Sequence, residues 1–129
     1  HFKDSQKTTQ IGVAVVKAND TELASEICEE IWVPQNIHVE LCLDGVEIIT
    51  NASASHHELR KLDKRLQLIR ACSARNECVY MYANQKGGDG GRLYFDGTSL
   101  IAVNGELVAQ LPQFSLDDVE VSLSIIDLE

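Results

Sequence analysis

Cys28 is the residue best placed in this sequence to act as a nucleophile. It ends an apolar run where a polar turn begins, and two carboxylates, Glu29 and Glu30, follow it directly. A cysteine at the end of a strand is exposed at the edge of a sheet, a geometry typical of covalent catalysis. Because a free thiol is mostly protonated at neutral pH, its activation requires a base or a cation from elsewhere in the fold. The alternative is a buried cysteine without a chemical role.

A second candidate site is the polar tract at 51–57, which reads Asn-Ala-Ser-Ala-Ser-His-His. We predict that it connects a strand to a helix, where backbone N–H groups and hydroxyls could receive an anion or a carboxylate. The alternative is that Ser55 only caps the helix. No metal site is expected at His56 and His57, because adjacent side chains diverge on a helix and neither has a ligand partner four residues away.

Glycine residues dominate positions 87–91, which read Gly-Gly-Asp-Gly-Gly. Such a run loses too much backbone entropy to lie inside a helix or strand, so it predicts a loop. The cluster lacks the Gly-Lys-Ser/Thr ending of a phosphate-binding loop. We therefore expect it to line a site or an interface rather than to bind a nucleotide.

The elements that must position these residues follow from hydrophobic periodicity and turn residues. The longest periodic stretch predicts a helix over 57–75 with one apolar stripe: Leu59, Leu62, Leu66, Ile69 and Cys72. Its other faces carry basic residues: Arg60, Lys61, Lys64, Arg65 and Arg70. A shorter helix is predicted over 36–43, and the predicted strands are 11–16, 23–28, 46–50, 78–83, 98–103, 106–110 and 119–126.

The order of these elements predicts an α/β or α+β class, with a mixed sheet and helices on one face. Asn104 and Gly105 lie between two apolar runs and predict a hairpin, because both residues accept the positive φ of a tight turn. The final strand alternates poorly and is expected to be covered on both sides. A chain of 129 residues buries one core, so a single domain is expected.

Charge and composition exclude several classes of function. Eleven basic residues against 20 acidic ones give a net charge of −9, which repels phosphate backbones and anionic membranes, so we expect no nucleic-acid and no membrane partner. The sequence has no apolar run of membrane-spanning length, no secretion signal and no Cys-x-x-Cys pair among its four cysteines. These features predict a cytoplasmic protein. Because the sequence begins at His1 without an initiator Met, we expect a piece of a longer chain.

Several segments resemble the glutaminase part of the glutamine-dependent NAD synthetases, in one collinear run over about residues 7–129. The first two are Ser-Glu-Ile-Cys-Glu-Glu-Ile-Trp-Val-Pro at 25–34 and the stretch 44–57 that ends in Asn-Ala-Ser-Ala-Ser-His-His. Three later segments, 83–90, 92–97 and 113–121, look like the eukaryotic branch. In the glycine cluster those relatives usually have Lys-Gly-Cys-Asp-Gly-Asp, whereas this chain has Lys-Gly-Gly-Asp-Gly-Gly at 86–91.

The resemblance implies a nitrilase-like α-β-β-α sandwich of the carbon–nitrogen hydrolase superfamily, whose active site uses Glu, Lys and Cys. Cys28 matches the family's nucleophile. The family's Glu and Lys lie upstream of this sequence, and a synthetase domain that uses ATP and Mg²⁺ lies downstream. Residues 1–129 are therefore expected to be part of one glutaminase domain, with no cofactor of their own.

The resemblance also implies substrate-binding residues at matching positions. Ser55 falls on a serine that contacts the amino-acid end of glutamine, and Lys61 falls on a basic residue that pairs with the substrate carboxylate. Arg60 is an adjacent alternative for that second role. Glu29 matches a residue that holds the substrate ammonium, while its backbone N–H suits the oxyanion.

The implied function is hydrolysis of the glutamine side-chain amide, with ammonia delivered for the amidation of nicotinic acid adenine dinucleotide to NAD. The implied partners are glutamine, the remainder of the same enzyme, and further copies in a homo-oligomer. Another amidase of the superfamily is an alternative, although the predicted anchors for a substrate carboxylate count against it. A second alternative is an inert half-domain that acts only in assembly, and on its own this fragment is expected to be inactive.

Overall fold

The computed structural model describes residues 8–128. The predicted domain of 1–129 thus includes residues 1–7 and 129, which lie outside the described residues. The strands are β1 Val15–Lys17, β2 Glu22–Ile27, β3 Ile48–Ser53, β4 Val79–Asn84, β5 Lys86–Asp89, β6 Leu93–Asp96, β7 Leu100–Val103 and β8 Glu106–Gln110. The α-helices are α1 Ile37–Leu43 and α2 Lys61–Arg75, and a short 3₁₀ helix spans Cys28–Ile31.

Six strands form one mixed sheet in the order β1-β2-β3-β4-β7-β8. Its centre is parallel, because β2, β3 and β4 pair in the same direction, whereas β1, β7 and β8 are antiparallel to their neighbours. Both α-helices pack on one face, where the core lies between sheet and helices: Ala24, Ile49, Tyr80, Leu100, Leu41, Ile69 and Cys72. The predicted mixed sheet with helices on one face is confirmed.

The hairpin predicted at Asn104 and Gly105 is confirmed, because these residues join β7 to β8 with φ angles of 49° and 86°. The helix predicted from 57 begins only at Lys61. Arg60 has a left-handed φ of 66°, and the backbone N–H of His57 donates to the Tyr94 carbonyl at 2.7 Å. The tract before α2 is therefore held against β6, and it cannot continue the helix.

The burial of two side chains in or next to α2 also differs from the prediction. Leu59, placed in the apolar stripe, lies before the helix and is 90% exposed. Arg65, placed on a polar face, is fully buried because it has a carboxylate partner in Asp96. Periodicity alone does not identify a buried ion pair, since the partner lies 31 residues away.

Several strand predictions need correction. The first strand begins at Val15 rather than at residue 11. The strand predicted over 46–50 is observed as Ile48–Ser53, so the first three residues of the tract at 51–57 belong to the strand and not to the connection. The glycine cluster is not simply a loop, because β5 covers Lys86–Asp89 and pairs with β6 in a separate two-stranded sheet. The interstrand hydrogen bonds of that hairpin compensate the entropy that glycine loses.

The strand predicted over 119–126 is absent, and the segment is not covered on both sides. Its residues alternate in exposure: Val119, Val121, Leu123 and Ile125 point into solvent, whereas the residues between them are half-buried. The segment crosses the sheet face opposite the helices, where it closes cavities with Met81 and Ile101. Among the helices of residues 8–128, none combines the length and apolarity needed to cross a membrane.

Candidate active site

A cleft of about 460 Å³ opens beyond the carboxyl ends of β2 and β3. Ligands of open α/β sheets commonly bind at this edge, because loops that follow parallel strands converge there. The cleft is lined by Cys28, Glu29, Trp32, Ala54, Ser55, His56, Glu58, Leu59, Arg60, Lys61 and Lys64. All four residues predicted from the sequence to act in the site, and the alternative Arg60, are therefore brought together, although their chemical roles stay predictions.

Cys28 was predicted to be the last residue of the strand 23–28, but β2 ends at Ile27 and Cys28 lies one residue beyond it. It begins the 3₁₀ helix with a left-handed φ of 45°, which is uncommon for a residue with a side chain. Its backbone N–H donates to Oδ1 of Asn51 at 3.1 Å. The turn is also held by Glu30, whose Oε2 accepts from the backbone N–H of Ile27 at 2.5 Å.

A buried polar cluster lies beneath Cys28 on the helix side of the sheet. Nδ1 of His38 and Oε2 of Glu26 are 2.8 Å apart, and the Tyr80 hydroxyl donates to the other oxygen of Glu26. Burial would raise the pKa of Glu26, but hydrogen bonds from His38 and Tyr80 outweigh it and hold the pKa below the ordinary range. The carboxylate is thus ionised at neutral pH. Burial and the charge of Glu26 raise the pKa of Tyr80, which keeps its hydroxyl as a donor.

Ser55 is buried at the base of the cleft and does not cap α2, so the capping alternative is wrong. Its backbone N–H donates to Oδ1 of Asn84 at 2.8 Å, and its hydroxyl oxygen accepts from Nη2 of Arg65 at 3.3 Å. The same guanidinium pairs with Asp96 at 3.0 Å. A hydroxyl can accept and donate at once, so the Ser55 hydroxyl can accept from Arg65 and still donate a hydrogen bond to another group.

The basic side of the cleft is formed by the first turn of α2. Lys61 is half-buried, and its Nζ lies 5.7 Å from the centre of the Trp32 ring, within range of a cation–π contact. Arg60 is exposed and precedes the helix. Together with Lys64, these residues give one wall of the cleft three positive charges, which suits a ligand carboxylate.

The two adjacent histidines have separate partners. His56 lies at the cleft with its Nε2 2.7 Å from Oε1 of Glu58, whereas Nδ1 of His57 is 3.3 Å from Oδ2 of Asp96. The hydrogen bond from His56 lowers the pKa of Glu58. Within residues 8–128, no three His, Cys, Asp or Glu side chains converge as a metal site would require.

No role was predicted from the sequence for Trp32 or Glu26, and Asn51 was included only as the first residue of the tract at 51–57. Trp32 lines the cleft. Asn51 accepts a hydrogen bond from the backbone N–H of Cys28, and Glu26 in turn accepts one from the side chain of Asn51. The one available signal was that polar residues occupy inward-facing positions of β2 and β3 where apolar residues are expected. Such a position indicates a buried polar network without naming its members.

The family model described as carbon-nitrogen hydrolase matches residues 3–129, and the chain belongs to this family. It is 56% identical over 124 residues to the glutamine-dependent NAD(+) synthetase of Saccharomyces cerevisiae, an alignment covering 96% of this chain and 17% of the yeast protein. The human glutamine-dependent NAD(+) synthetase is 53% identical, with 96% and 18% covered. The resemblance noted in the sequence is confirmed.

Solved structures agree with this assignment. A glutamine-dependent NAD+ synthetase from Acinetobacter baumannii superimposes with a TM-score of 0.74 at 30% identity, covering 87% of this chain and 21% of that one. The corresponding enzyme from Cytophaga hutchinsonii gives 0.70 at 31% identity, with 83% and 17% covered. An amidase from Nesterenkonia sp. shares the fold at 21% identity and a TM-score of 0.67, covering 81% and 38%. The chain thus spans about a fifth of the length of these synthetases.

Proposed function

We propose that this chain is the cysteine-bearing part of a glutaminase domain, in which Cys28 attacks the side-chain amide of glutamine. The observation that carries this proposal is that Cys28, Glu29, Ser55 and Lys61 line the same cleft. The identity of 56% to the yeast synthetase over nearly the whole chain supports it.

In the proposed reaction, the sulfur of Cys28 bonds to the amide carbon while the thiol proton passes to a base. The tetrahedral oxyanion then collapses, the carbon–nitrogen bond breaks, and the protonated nitrogen leaves as ammonia. Water hydrolyses the resulting thioester to glutamate and restores the thiol. The family resemblance implies that the base is a Glu and that a Lys stabilises the oxyanion, both from parts of the domain outside these 129 residues.

The groups that line the cleft suit the amino-acid end of glutamine. We assign the α-carboxylate of the substrate to Lys61 and its α-ammonium to Glu29, while the Ser55 hydroxyl donates its remaining proton to the carboxylate. A simple amide or nitrile carries neither charge, so these contacts favour glutamine over the substrate of a general amidase.

The wider context belongs to the same proposal. The ammonia passes to a synthetase domain that uses ATP and Mg²⁺ to amidate nicotinic acid adenine dinucleotide, in a cytoplasmic homo-oligomer. None of residues 8–128 is assigned to ATP or to Mg²⁺.

The experiment is Cys28→Ala in the full-length protein that carries this segment. We expect glutamine hydrolysis to be abolished while NAD synthesis from added ammonia continues, because only the nucleophile of the amide reaction is lost. Cys42→Ala is the matched control, since Cys42 is a free thiol on α1 away from the cleft. Equal loss of ammonia-dependent synthesis in folded Cys28→Ala protein would contradict the assignment. Equal turnover of glutamine and propionamide would favour a general amidase.

A further inference from the structure

The backbone of Cys28 is held in a conformation that its sequence does not favour. A φ of 45° is a position where a side chain crowds the backbone, so neighbouring groups must hold the residue there. Pairing of β2 with β3 fixes the chain only up to Ile27, which lies opposite Ala52. The backbone N–H of Cys28 itself is held by the side chain of Asn51.

Asn51 is almost completely buried, at 1% exposure, and both ends of its side-chain amide are occupied. Its Oδ1 accepts from the Cys28 N–H at 3.1 Å and from the Ser53 hydroxyl at 2.7 Å. Its Nδ2 donates to the Tyr80 oxygen at 3.0 Å and to Oε1 of Glu26 at 3.4 Å. Two donors thus face the oxygen of the amide and two acceptors face its nitrogen.

The charge of Glu26 fixes the direction of this arrangement. A carboxylate accepts and does not donate, so the NH₂ end of Asn51 must point toward Glu26 and the carbonyl end toward Cys28. Hydrogen bonds in such a chain polarise one another, which makes the Asn51 oxygen a stronger acceptor for the Cys28 N–H. His38 completes the chain from α1 by its contact with Glu26.

We propose that Asn51 is the positioning residue of the nucleophile: backed by the Glu26 carboxylate, it holds Cys28 in the left-handed conformation that presents the thiol to the cleft. The inference rests on the proposed glutaminase function. It also means that the Cys28 N–H is already used, so that the oxyanion must be bound by other donors. Asn51 contacts no substrate in this role and acts only through Cys28.

The first test is Asn51→Leu in the full-length protein. Leucine has a similar size but offers no acceptor to the Cys28 N–H, so the thiol loses its fixed position while the substrate anchors remain. We expect kcat for glutamine hydrolysis to fall by about 10- to 100-fold. KM should stay within about twofold, because misplacement of the nucleophile affects the chemical step rather than binding. Ser53→Ala is the control, since it removes the other donor to Asn51 and leaves the Cys28 contact intact.

The second test exchanges the acid and the amide. Asn51→Asp places two carboxylates side by side and should lower kcat strongly. The double variant Asn51→Asp with Glu26→Gln again pairs one acid with one amide, and we expect it to recover kcat by at least about tenfold over Asn51→Asp. This pair keeps the inference testable if the leucine variant does not fold.

Each outcome has a distinct meaning. If the wild-type protein does not hydrolyse glutamine, the proposed function fails, whatever the variants show. If the wild type is active but Asn51→Leu lowers only the thermal stability and leaves kcat unchanged, Asn51 is structural and the inference is overturned. An acid–amide exchange that recovers nothing overturns it as well. A selective loss of kcat with recovery by the exchange supports it.

Discussion

Lys61 and Arg60 are neighbours with different surroundings, and this difference predicts which of them binds the substrate carboxylate. Lys61 is half-buried with its ammonium near Trp32, whereas Arg60 is exposed. We expect Lys61→Ala to raise KM for glutamine about 10- to 100-fold, the equivalent of one charge-assisted hydrogen bond of about 1.5–3 kcal/mol. The value of kcat should change little, since the contact exists in the ground and transition states alike.

Arg60→Ala is the matched control in the same steady-state assay, with glutamine as the varied substrate. It removes an equal charge from the same wall of the cleft without touching Trp32. We expect a change in KM of less than about threefold, because the charge of an exposed side chain is screened by solvent. If only the Arg60 change raises KM, the carboxylate is bound by Arg60.

At this scale, contiguous motifs were sufficient to select four residues that line one cleft, while the chemical roles of these residues stay predictions. Cys28, Glu29, Ser55 and Lys61 belong to two short segments that follow β2 and β3, and parallel pairing of those strands brings the segments together. Asn51 was predicted only as part of the tract at 51–57, and its contact with the backbone of Cys28 was not predicted, because the two residues are 23 positions apart. A polar residue in a strand shows that a partner exists but not which residue it is.

At the scale of elements, one buried carboxylate joins three parts of the chain. Asp96 at the end of β6 pairs with Arg65 of α2 at 3.0 Å and accepts from Nε2 of Gln113 at 2.8 Å. Burial would raise the pKa of Asp96, but hydrogen bonds from Gln113 and the charge of Arg65 outweigh it and hold the pKa below the ordinary aspartate range. These contacts of Asp96 with Arg65 and Gln113, called the clamp below, thus depend on an ionised carboxylate.

We expect Asp96→Asn to lower the free energy of unfolding at pH 7 by about 3–5 kcal/mol, because Arg65 stays buried without its counter-charge. A carboxylate with a depressed folded-state pKa stabilises the protein above its unfolded pKa and loses that contribution as the pH falls through the folded value. The wild type should therefore lose stability below about pH 4, and the variant should lose less there.

Urea unfolding at pH 7 and at pH 3.5 measures both effects on the clamp at Asp96. Asp118→Asn is the control, since Asp118 is exposed in the segment after Gln113. An equal pH dependence in wild type and Asp96→Asn would show that the clamp does not contribute to acid sensitivity.

Elements were predicted well where local chemistry decides, as at the Asn104–Gly105 hairpin. They were predicted poorly where pairing decides. The glycine run of β5 forms a strand because it pairs with β6, while the β-prone segment 119–126 pairs with no strand of the described residues. Both errors arise because a strand is defined by its neighbour, which periodicity does not reveal.

For the whole molecule, one group of exposed apolar residues lies on the side of the sheet away from α1 and α2. Ile27 is 66% exposed there, and the segment that crosses this face turns Val121 and Leu123 outward at 73% and 88%. Ile27 and Val121 line the same cavity, and a cluster of exposed apolar residues marks an interaction site. The predicted α-β-β-α sandwich places a second sheet against this face, and the alternation of residues 119–126 favours that arrangement.

The last prediction follows from this surface and uses Leu123→Glu in two settings. Residues 8–128 alone should associate and show no glutaminase activity, and the substitution should shift them toward monomer, because it places a charge on the exposed patch. In the full-length protein the same change should instead lower the free energy of unfolding by about 2–5 kcal/mol, because a covered carboxylate is desolvated. Leu43→Glu is the control, since Leu43 is 84% exposed at the end of α1. Light scattering and urea unfolding give the two readouts, and a monomeric wild-type fragment that turns over glutamine would contradict the prediction.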